Sequence, residues 1–308
     1  MSYIIETTNL SKRFDSRFAV ENINLKIRAG TVFGFLGPNG AGKTTTVRLL
    51  NGLLKPSDGT VRLFGKDIQT EGGIIRSRCG VQTDTNLYEK LSAHENLDVW
   101  GAFYGLQGRL LQARIESLLE MFGLSERRND LVGSFSKGMK QKVSIARALI
   151  NEPEILFLDE PTAGLDPEAS DDLLRYLRKY VRDTTRTVFL CSHRLEEVEE
   201  LCDEVAILSK GKILISGSKE NLIRHLWKEY EFIIRLRKTQ SLFLKMLEGD
   251  ERVTRVSLIE NEAHVFLEDK EYISEVVRSL VKGGADILSV EKKLHSLKDV
   301  YFAVMPNK

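Results

Sequence analysis

Gly37-Pro38-Asn39-Gly40-Ala41-Gly42-Lys43-Thr44 matches the pattern G-x-x-x-x-G-K-[ST], and it lies between an apolar run, Thr31 to Leu36, and an amphipathic stretch, Thr45 to Leu54. Strand, glycine loop and helix in that order are the setting in which such a loop grips phosphate. The glycines let backbone N–H groups converge on phosphate oxygens without a Cβ in the way. The loop also feeds a helix N-terminus whose unpaired donors and dipole favour an anion. Lys43 is expected at the β- and γ-phosphates and the Thr44 hydroxyl on Mg²⁺. A purely structural glycine loop is the weaker alternative, because the flanking elements are also those of a phosphate site.

The chain has 308 residues, enough for two unequal domains, each with its own core. Lys plus Arg number 45 and Asp plus Glu 44, a formal net charge of +1. No global field therefore draws the chain to nucleic acid, which is not expected as a partner. Cys79, Cys191 and Cys202 are scattered without C-x-x-C spacing, which argues against a zinc site or a disulfide framework. They read as reduced cytosolic thiols. The start, Met1 to Glu6, lacks the basic and long apolar segments of an export signal, and no stretch of about 18 apolar residues occurs. Any membrane role is expected to run through a partner.

Outward from the loop, Tyr3 to Thr8, Ala19 to Ile27 and Thr31 to Leu36 read as strands. Between Ala93 and Phe122 the spacing turns helical, with Leu97, Trp100, Phe103 and Tyr104 expected on one face. Ile155 to Leu158 and Thr187 to Leu190 read as buried strands joined by a helix from about Pro167 to Tyr180, which implies a parallel sheet. A hairpin is expected around Lys210-Gly211, followed by a helix near Lys219 to Trp227. From about Tyr230 the order is strand (Glu231 to Leu236), helix (Gln240 to Leu247), two strands (Arg252 to Ile259, Ala263 to Leu267) around an Asn261-Glu262 turn, helix (Tyr272 to Lys282) and strand (Asp286 to Val290). No repeat or low-complexity tract is present.

A phosphate loop alone leaves several enzyme classes open, so the other polar clusters decide. Ile155-Leu156-Phe157-Leu158-Asp159-Glu160 is an apolar strand ending in two acids, where an α/β sheet presents residues to a ligand. Asp159 suits Mg²⁺ ligation, directly or through water. Glu160 suits a general base for the attacking water. Upstream, Phe135-Ser136-Lys137-Gly138-Met139-Lys140-Gln141 leads into an amphipathic helix with Ser136 as its natural N-cap. Lys137, Lys140 and Lys142 crowd the first turns, where the helix dipole disfavours cations. A bound anion would offset that, and solvation of long lysines is the alternative.

Taken together and in this order, the motifs resemble those of an ATP-binding cassette, the nucleotide-binding component of an ABC transporter, over about residues 3 to 228. The resemblance adds Gln82 in Gly80-Val81-Gln82, Ala163-Gly164-Leu165-Asp166, and His193 in Cys191-Ser192-His193. It implies an α/β fold: a P-loop nucleotide-hydrolase core of mixed sheet with helices, domain 1–228, with a helical subdomain inserted at about 85–150. A small α+β accessory domain, 229–308, follows it. It implies ATP and Mg²⁺ as ligands, with Gly37, Pro38, Asn39, Gly40, Ala41, Gly42, Lys43, Thr44 and Thr45 around the phosphates and Phe14 stacked on adenine. Thr44, Gln82 and Asp159 would serve the metal; Glu160, His193 and Gln82 would serve catalysis. Ser136 and Gly138 would meet the γ-phosphate held by a second cassette, with Asp166 at the interface.

The implied partners are an integral membrane transporter subunit and a second cassette, in a homodimer or a pair, at the cytoplasmic face of the membrane. Asn86, Leu87, Tyr88 and Leu91 are the expected docking neighbourhood. The signature SKGMKQ, with Lys137 and Met139 in place of the commoner Gly and Gln, resembles the drug, antibiotic and lipid exporters. Ala163 stands where a serine is common. A soluble cassette acting on ribosomes or DNA is the competing class, but one phosphate loop and no sustained heptads speak against it.

Overall fold

The computed structural model describes residues 3–83, 86–238 and 241–305. Met1, Thr85, Gln240 and Lys308, which bound expected segments, lie outside them. The chain divides into two compact units, residues 3–219 with 304–305, and residues 220–303.

The first unit opens with β1 (Tyr3–Phe14) and β2 (Arg17–Arg28), followed by β3 (Val32–Leu36) and α1 (Lys43–Leu50). Next come β4 (Asp58–Leu63), β5 (Lys66–Asp67), α2 (Ile68–Ser77) and β6 (Cys79–Gln82). Three helices, α3 (Ala93–Phe103), α4 (Gly108–Met121) and α5 (Lys137–Leu149), lead to β7 (Ile155–Asp159), α6 (Pro167–Arg182) and β8 (Thr187–Ser192). The unit closes with α7 (Leu195–Leu201), β9 (Glu204–Ser209) and β10 (Lys212–Ser218), and α8 (Lys219–Leu226) starts at the division.

Two sheets result. One is antiparallel, in the order β2-β1-β4-β5. The other runs β10-β9-β3-β8-β7-β6 and is parallel except for the β9–β10 hairpin, whose turn places Lys210 and Gly211 at φ 48° and 82°. The strands β3, β7 and β8 are buried at every position, as expected of central parallel strands covered on both faces. Their alternation still sorts two cores. Phe33, Phe35, Phe157 and Phe189 face β1, β2 and α1, with ring centroids 5.3 to 5.7 Å from Phe189. Val32, Leu156, Leu158, Val188 and Leu190 face the helices instead. Each such side chain contributes roughly 1.5–3 kcal/mol relative to exposure.

The helices α3, α4 and α5 pack on one another around Leu97, Leu111, Ile115, Leu118 and Val143. Trp100 and Tyr104 join that core, but Phe103 does not. It is 72% exposed and meets its neighbour Trp100 edge-on at 5.7 Å, so the expected four-residue face is three residues wide. The elements not anticipated, β4 to β6, α2, α7 and α11 below, are mostly short or built from weakly patterned segments such as Cys79-Gly80-Val81-Gln82.

The second unit runs β11 (Tyr230–Leu236), α9 (Ser241–Glu248), β12 (Val253–Ile259), β13 (Glu262–Leu267), α10 (Ile273–Lys282), β14 (Ile287–Lys292) and α11 (Leu297–Val304). Its antiparallel sheet has the order β12-β13-β11-β14, a split βαβ arrangement with α9 and α10 packed on one core. The β12–β13 turn falls at Glu260 and Asn261, one residue earlier than expected, because Glu262 already pairs with Ile259 and Arg235.

Candidate nucleotide site

Parallel pairing brings four strand ends to one edge of the large sheet: Leu36 beside Ser192, Asp159 beside Cys191, and Gln82 beside Leu158. The loop after β3 therefore meets the acids after β7 and the histidine after β8, at the strand ends where open α/β sheets bind ligands. A cleft of about 320 Å³ opens there. Pro38, Asn39, Gly40, Gly42, Lys43, Thr44 and Thr45 line it from the loop, Asp159 and Glu160 from β7, with Ala19 and Thr83 at the sides. Gly42 caps α1 at φ 110°, and a Cβ there would lie 2.4 Å from the Ala19 carbonyl, so only glycine closes the loop this way. No acid occupies the first turn of α1, which leaves its positive end free for an anion.

Lys43 is 6% exposed and its Nζ donates to the carbonyls of Gly37 (2.7 Å) and Pro38 (3.3 Å). The same Nζ lies 3.2 Å from Glu160 Oε1, in ion-pair range but outside hydrogen-bond geometry, so that buried oxygen keeps no hydrogen bond. The other oxygen of Glu160 contacts His193 Nδ1 at 2.8 Å. Glu160 itself adopts φ 52°, a left-handed conformation that costs a non-glycine residue roughly 1–2 kcal/mol. Thr44 Oγ1 donates to Asp159 Oδ2, while Asp159 Oδ1 is buried without a hydrogen-bond partner. Burial pushes the Asp159 carboxyl above its ordinary value. The Thr44 hydrogen bond opposes that push, Glu160 adds to it, and Lys43 and Arg48 oppose it more weakly.

Gln82 sits beneath this group, 2% exposed, and its Oε1 accepts the Asp159 backbone N–H at 3.1 Å. Its oxygen is thus engaged by the strand end through one of its two lone pairs. Phe14, at the tip of the β1–β2 hairpin, is 49% exposed, carries Lys12 Nζ at 5.3 Å over its ring, and does not line the cleft.

Ser136, Gly138 and Asp166 also lie outside the cleft. Ser136 caps α5, its Oγ accepting the Met139 N–H at 3.2 Å, and Asp166 caps α6 by accepting the Ala169 N–H at 2.8 Å. That hydrogen bond holds the Asp166 carboxyl below its ordinary value. A Cβ on Gly138 would come within 2.8 Å of the Gly164 carbonyl, so these two turns lie against each other within one chain. The crowding of lysines at α5 is partly relieved internally, since Lys140 Nζ pairs with Glu89 at 2.7 Å. For Lys140 a carboxylate of the chain itself supplies a counter-charge.

Two buried groups were given no role by the sequence, although Gln141 ends the SKGMKQ signature. Gln141, 4% exposed, donates through Nε2 to the carbonyls of Glu160 (3.2 Å) and Pro161 (2.9 Å). Glu197, 5% exposed, accepts Thr162 Oγ1 at 2.6 Å and Ser192 Oγ at 3.2 Å and pairs with Arg194 at 2.7 Å. In Leu195-Glu196-Glu197-Val198-Glu199-Glu200 nothing but tertiary position distinguishes that acid from its neighbours.

A family model described as ABC transporter matches residues 20–163. The bacitracin transport ATP-binding protein BcrA of Bacillus licheniformis is 34% identical over 307 residues, 98% of this chain and 97% of that protein. The linearmycin resistance ATP-binding protein LnrL of Bacillus subtilis is 34% identical over 302 residues, 97% of each chain. Among solved structures, a dimeric ATP-binding cassette in a post-hydrolysis state bound to ADP and Pi superposes with a TM-score of 0.65 at 26% identity, covering 70% of this chain and 98% of that one. Similarity along nearly the whole length, on a cleft built from a phosphate loop and two strand-end acids, leads to one conclusion: this chain belongs to the ABC transporter family, as an ATP-binding protein.

Proposed function

We propose that the chain binds and hydrolyses ATP to power an ABC exporter whose separate membrane subunit carries the substrate. The observation that carries this reading is the chain of contacts Lys43–Glu160–His193 along the edge of the phosphate-loop cleft. Lys43 takes the β- and γ-phosphate oxygens, releasing the carbonyls of Gly37 and Pro38. Glu160 accepts the proton of the attacking water, and His193 orients that carboxylate and meets the γ-phosphate. The names of the relatives, bacitracin transport and linearmycin resistance, favour export.

Mg²⁺ fits the residues present. The Thr44 hydroxyl touches Asp159, and the unpartnered buried Oδ1 of Asp159 is an oxygen that a hard cation accounts for. Among the described residues no group of three or more His, Cys, Asp and Glu is placed to hold a metal ion by itself. When bound, Mg²⁺ neutralises charge on the transferring phosphate. Gln82 Oε1 uses one lone pair for the Asp159 N–H and has its second for such a cation.

Ser136 and Asp166 remain exposed, as residues meeting a second cassette across shared nucleotides would. For the membrane subunit, a groove of about 380 Å³ lined by Asn51, Leu53, Asn86, Trp100, Tyr104 and Arg147 offers a seat. The Trp100 Nε1 and Asn51 Nδ2 donors are buried there without hydrogen-bond partners. Tyr88 is 46% exposed nearby, whereas Leu87 packs on the core. Among the described residues no helix is long and apolar enough to cross a membrane, and in this reading the chain sits at the cytoplasmic face, held by its partner.

Replacing Glu160 by Gln tests the reading. ATP binding is retained while turnover falls about 10²- to 10⁴-fold, and two cassettes accumulate as a nucleotide-bound pair. Hydrolysis at the parent rate defeats the general-base assignment.

A further inference from the structure

Gln141 sits on α5, a little over one turn past the Ser136 cap, and is nearly sealed from solvent. Its amide nitrogen donates to two consecutive carbonyls, those of Glu160 and Pro161. Glu160 is the one non-glycine residue among those lining the cleft that has a left-handed backbone. Asn and Asp reach that region with help from their own short side chains, but Glu does not, so the conformation persists only where surrounding contacts impose it. Three contacts do so. The Glu160 N–H is tied to the Cys191 carbonyl at 2.9 Å, and the Glu160 carbonyl accepts both the Ala163 N–H at 3.1 Å and the Gln141 amide at 3.2 Å. With the peptide groups on both sides anchored, the direction of the Glu160 Cα–Cβ bond is set, and its carboxylate spans Lys43 and His193.

We infer that Gln141 is a positioning residue for hydrolysis, holding Glu160 in the left-handed conformation that aims its carboxylate into the cleft. Because Gln141 rides on the helix capped by Ser136, it also links the base of one cleft to the turn facing a second cassette. The inference rests on the reading of Glu160 as the base. A role in packing alone is distinguishable, since methionine fills the same volume without donating to either carbonyl.

The test is Gln141→Met, with Gln141→Leu as a second variant, each alone and combined with Glu160→Gln, followed by single-turnover hydrolysis with enzyme in excess. Gln141→Met is expected to lower the rate about ten- to a hundredfold, while KM and the Kd of a non-hydrolysable ATP analogue stay within about twofold and the melting temperature falls only by the few degrees that a lost buried hydrogen bond costs. In the Glu160→Gln background the same change is expected to cost no further rate, because the group being positioned is already gone. A parent-like rate in both Gln141 variants overturns the inference, as does a rate loss that multiplies independently with Glu160→Gln. So does a rate that falls in step with affinity and melting temperature. Full turnover by Glu160→Gln alone overturns the base assignment instead, and the inference with it; an inactive Glu160→Gln beside a fully active Gln141→Met sinks only the inference.

Discussion

Glu160 bridges Lys43 and His193, one carboxylate oxygen lying 3.2 Å from Nζ and the other 2.8 Å from Nδ1. The lysine proposed to receive phosphate is therefore already paired with the acid proposed to activate water. An incoming nucleotide has to take Lys43 from Glu160, and doing so frees the carboxylate for its own task.

Removing that competitor strengthens binding. Glu160→Gln is expected to tighten a non-hydrolysable ATP analogue by up to about tenfold, the equivalent of ~1.4 kcal/mol, measured by calorimetric titration. Equal or weaker affinity contradicts the competition. Lys43→Ala acts in the opposite sense and weakens the analogue at least about tenfold, because a charge-assisted hydrogen bond contributes ~1.5–3 kcal/mol.

The buried carboxylate of Glu197 joins the segment after Glu160 to the segment before His193 through Thr162 and Ser192. Glu197→Ala leaves those hydroxyls and Arg194 without their acceptor, and the first unit is expected to lose about 2–4 kcal/mol in denaturant unfolding of the whole chain. Turnover falls as well. A loss under ~0.5 kcal/mol would show that water replaces the carboxylate freely.

Ser136 separates stability from pairing. Ser136→Ala removes the α5 cap and costs about 1 kcal/mol, whereas Ser136→Asp keeps a capping oxygen and parent-like stability. Only the added charge of aspartate opposes a partner's γ-phosphate, so Ser136→Asp melts normally yet fails to pair on ATP in gel filtration of the Glu160→Gln protein. Normal pairing by Ser136→Asp contradicts the assignment of this turn to a second cassette.

Glu231 makes the second unit acid-sensitive. Burial alone would push its carboxyl up, but hydrogen bonds from His264 (2.8 Å) and Lys293 (3.0–3.2 Å) outweigh burial and hold it below the ordinary value. A lowered folded value means a stabilisation fully present above the ordinary carboxylate range, about pH 4.5, and lost as pH falls through the folded value. Glu231→Gln is therefore expected to destabilise the unit by about 1–3 kcal/mol at pH 7, with the difference from the parent shrinking below about pH 4 in acid titrations. A difference independent of pH contradicts the carboxylate's role.

The central strands were legible in the sequence because four or five consecutive large apolar residues, as in Ile155 to Leu158, fit only a position covered on both faces. The β9–β10 hairpin was legible from Lys210-Gly211 for an equally local reason, a turn that needs positive φ. Phe103 misled because helical spacing identifies a stripe but not its edges, and α4 and α5 cover only part of α3. The two-residue β5 and the Gly-containing β6 carry too little pattern to stand out from loop.

The sequence by itself determined the glycine loop, the strand-end acids and the Ser136 cap, because glycine freedom, apolar runs and N-cap chemistry act over a few neighbouring residues. Only the tertiary structure decided which partners those groups take: Lys43 with Glu160, Lys140 with Glu89, the Gln82 oxygen with an N–H 77 residues away, and Gln141 with the backbone of Glu160. Such pairs are set where a parallel sheet brings distant strand ends to one edge and α5 packs beside it, a convergence that no local pattern encodes.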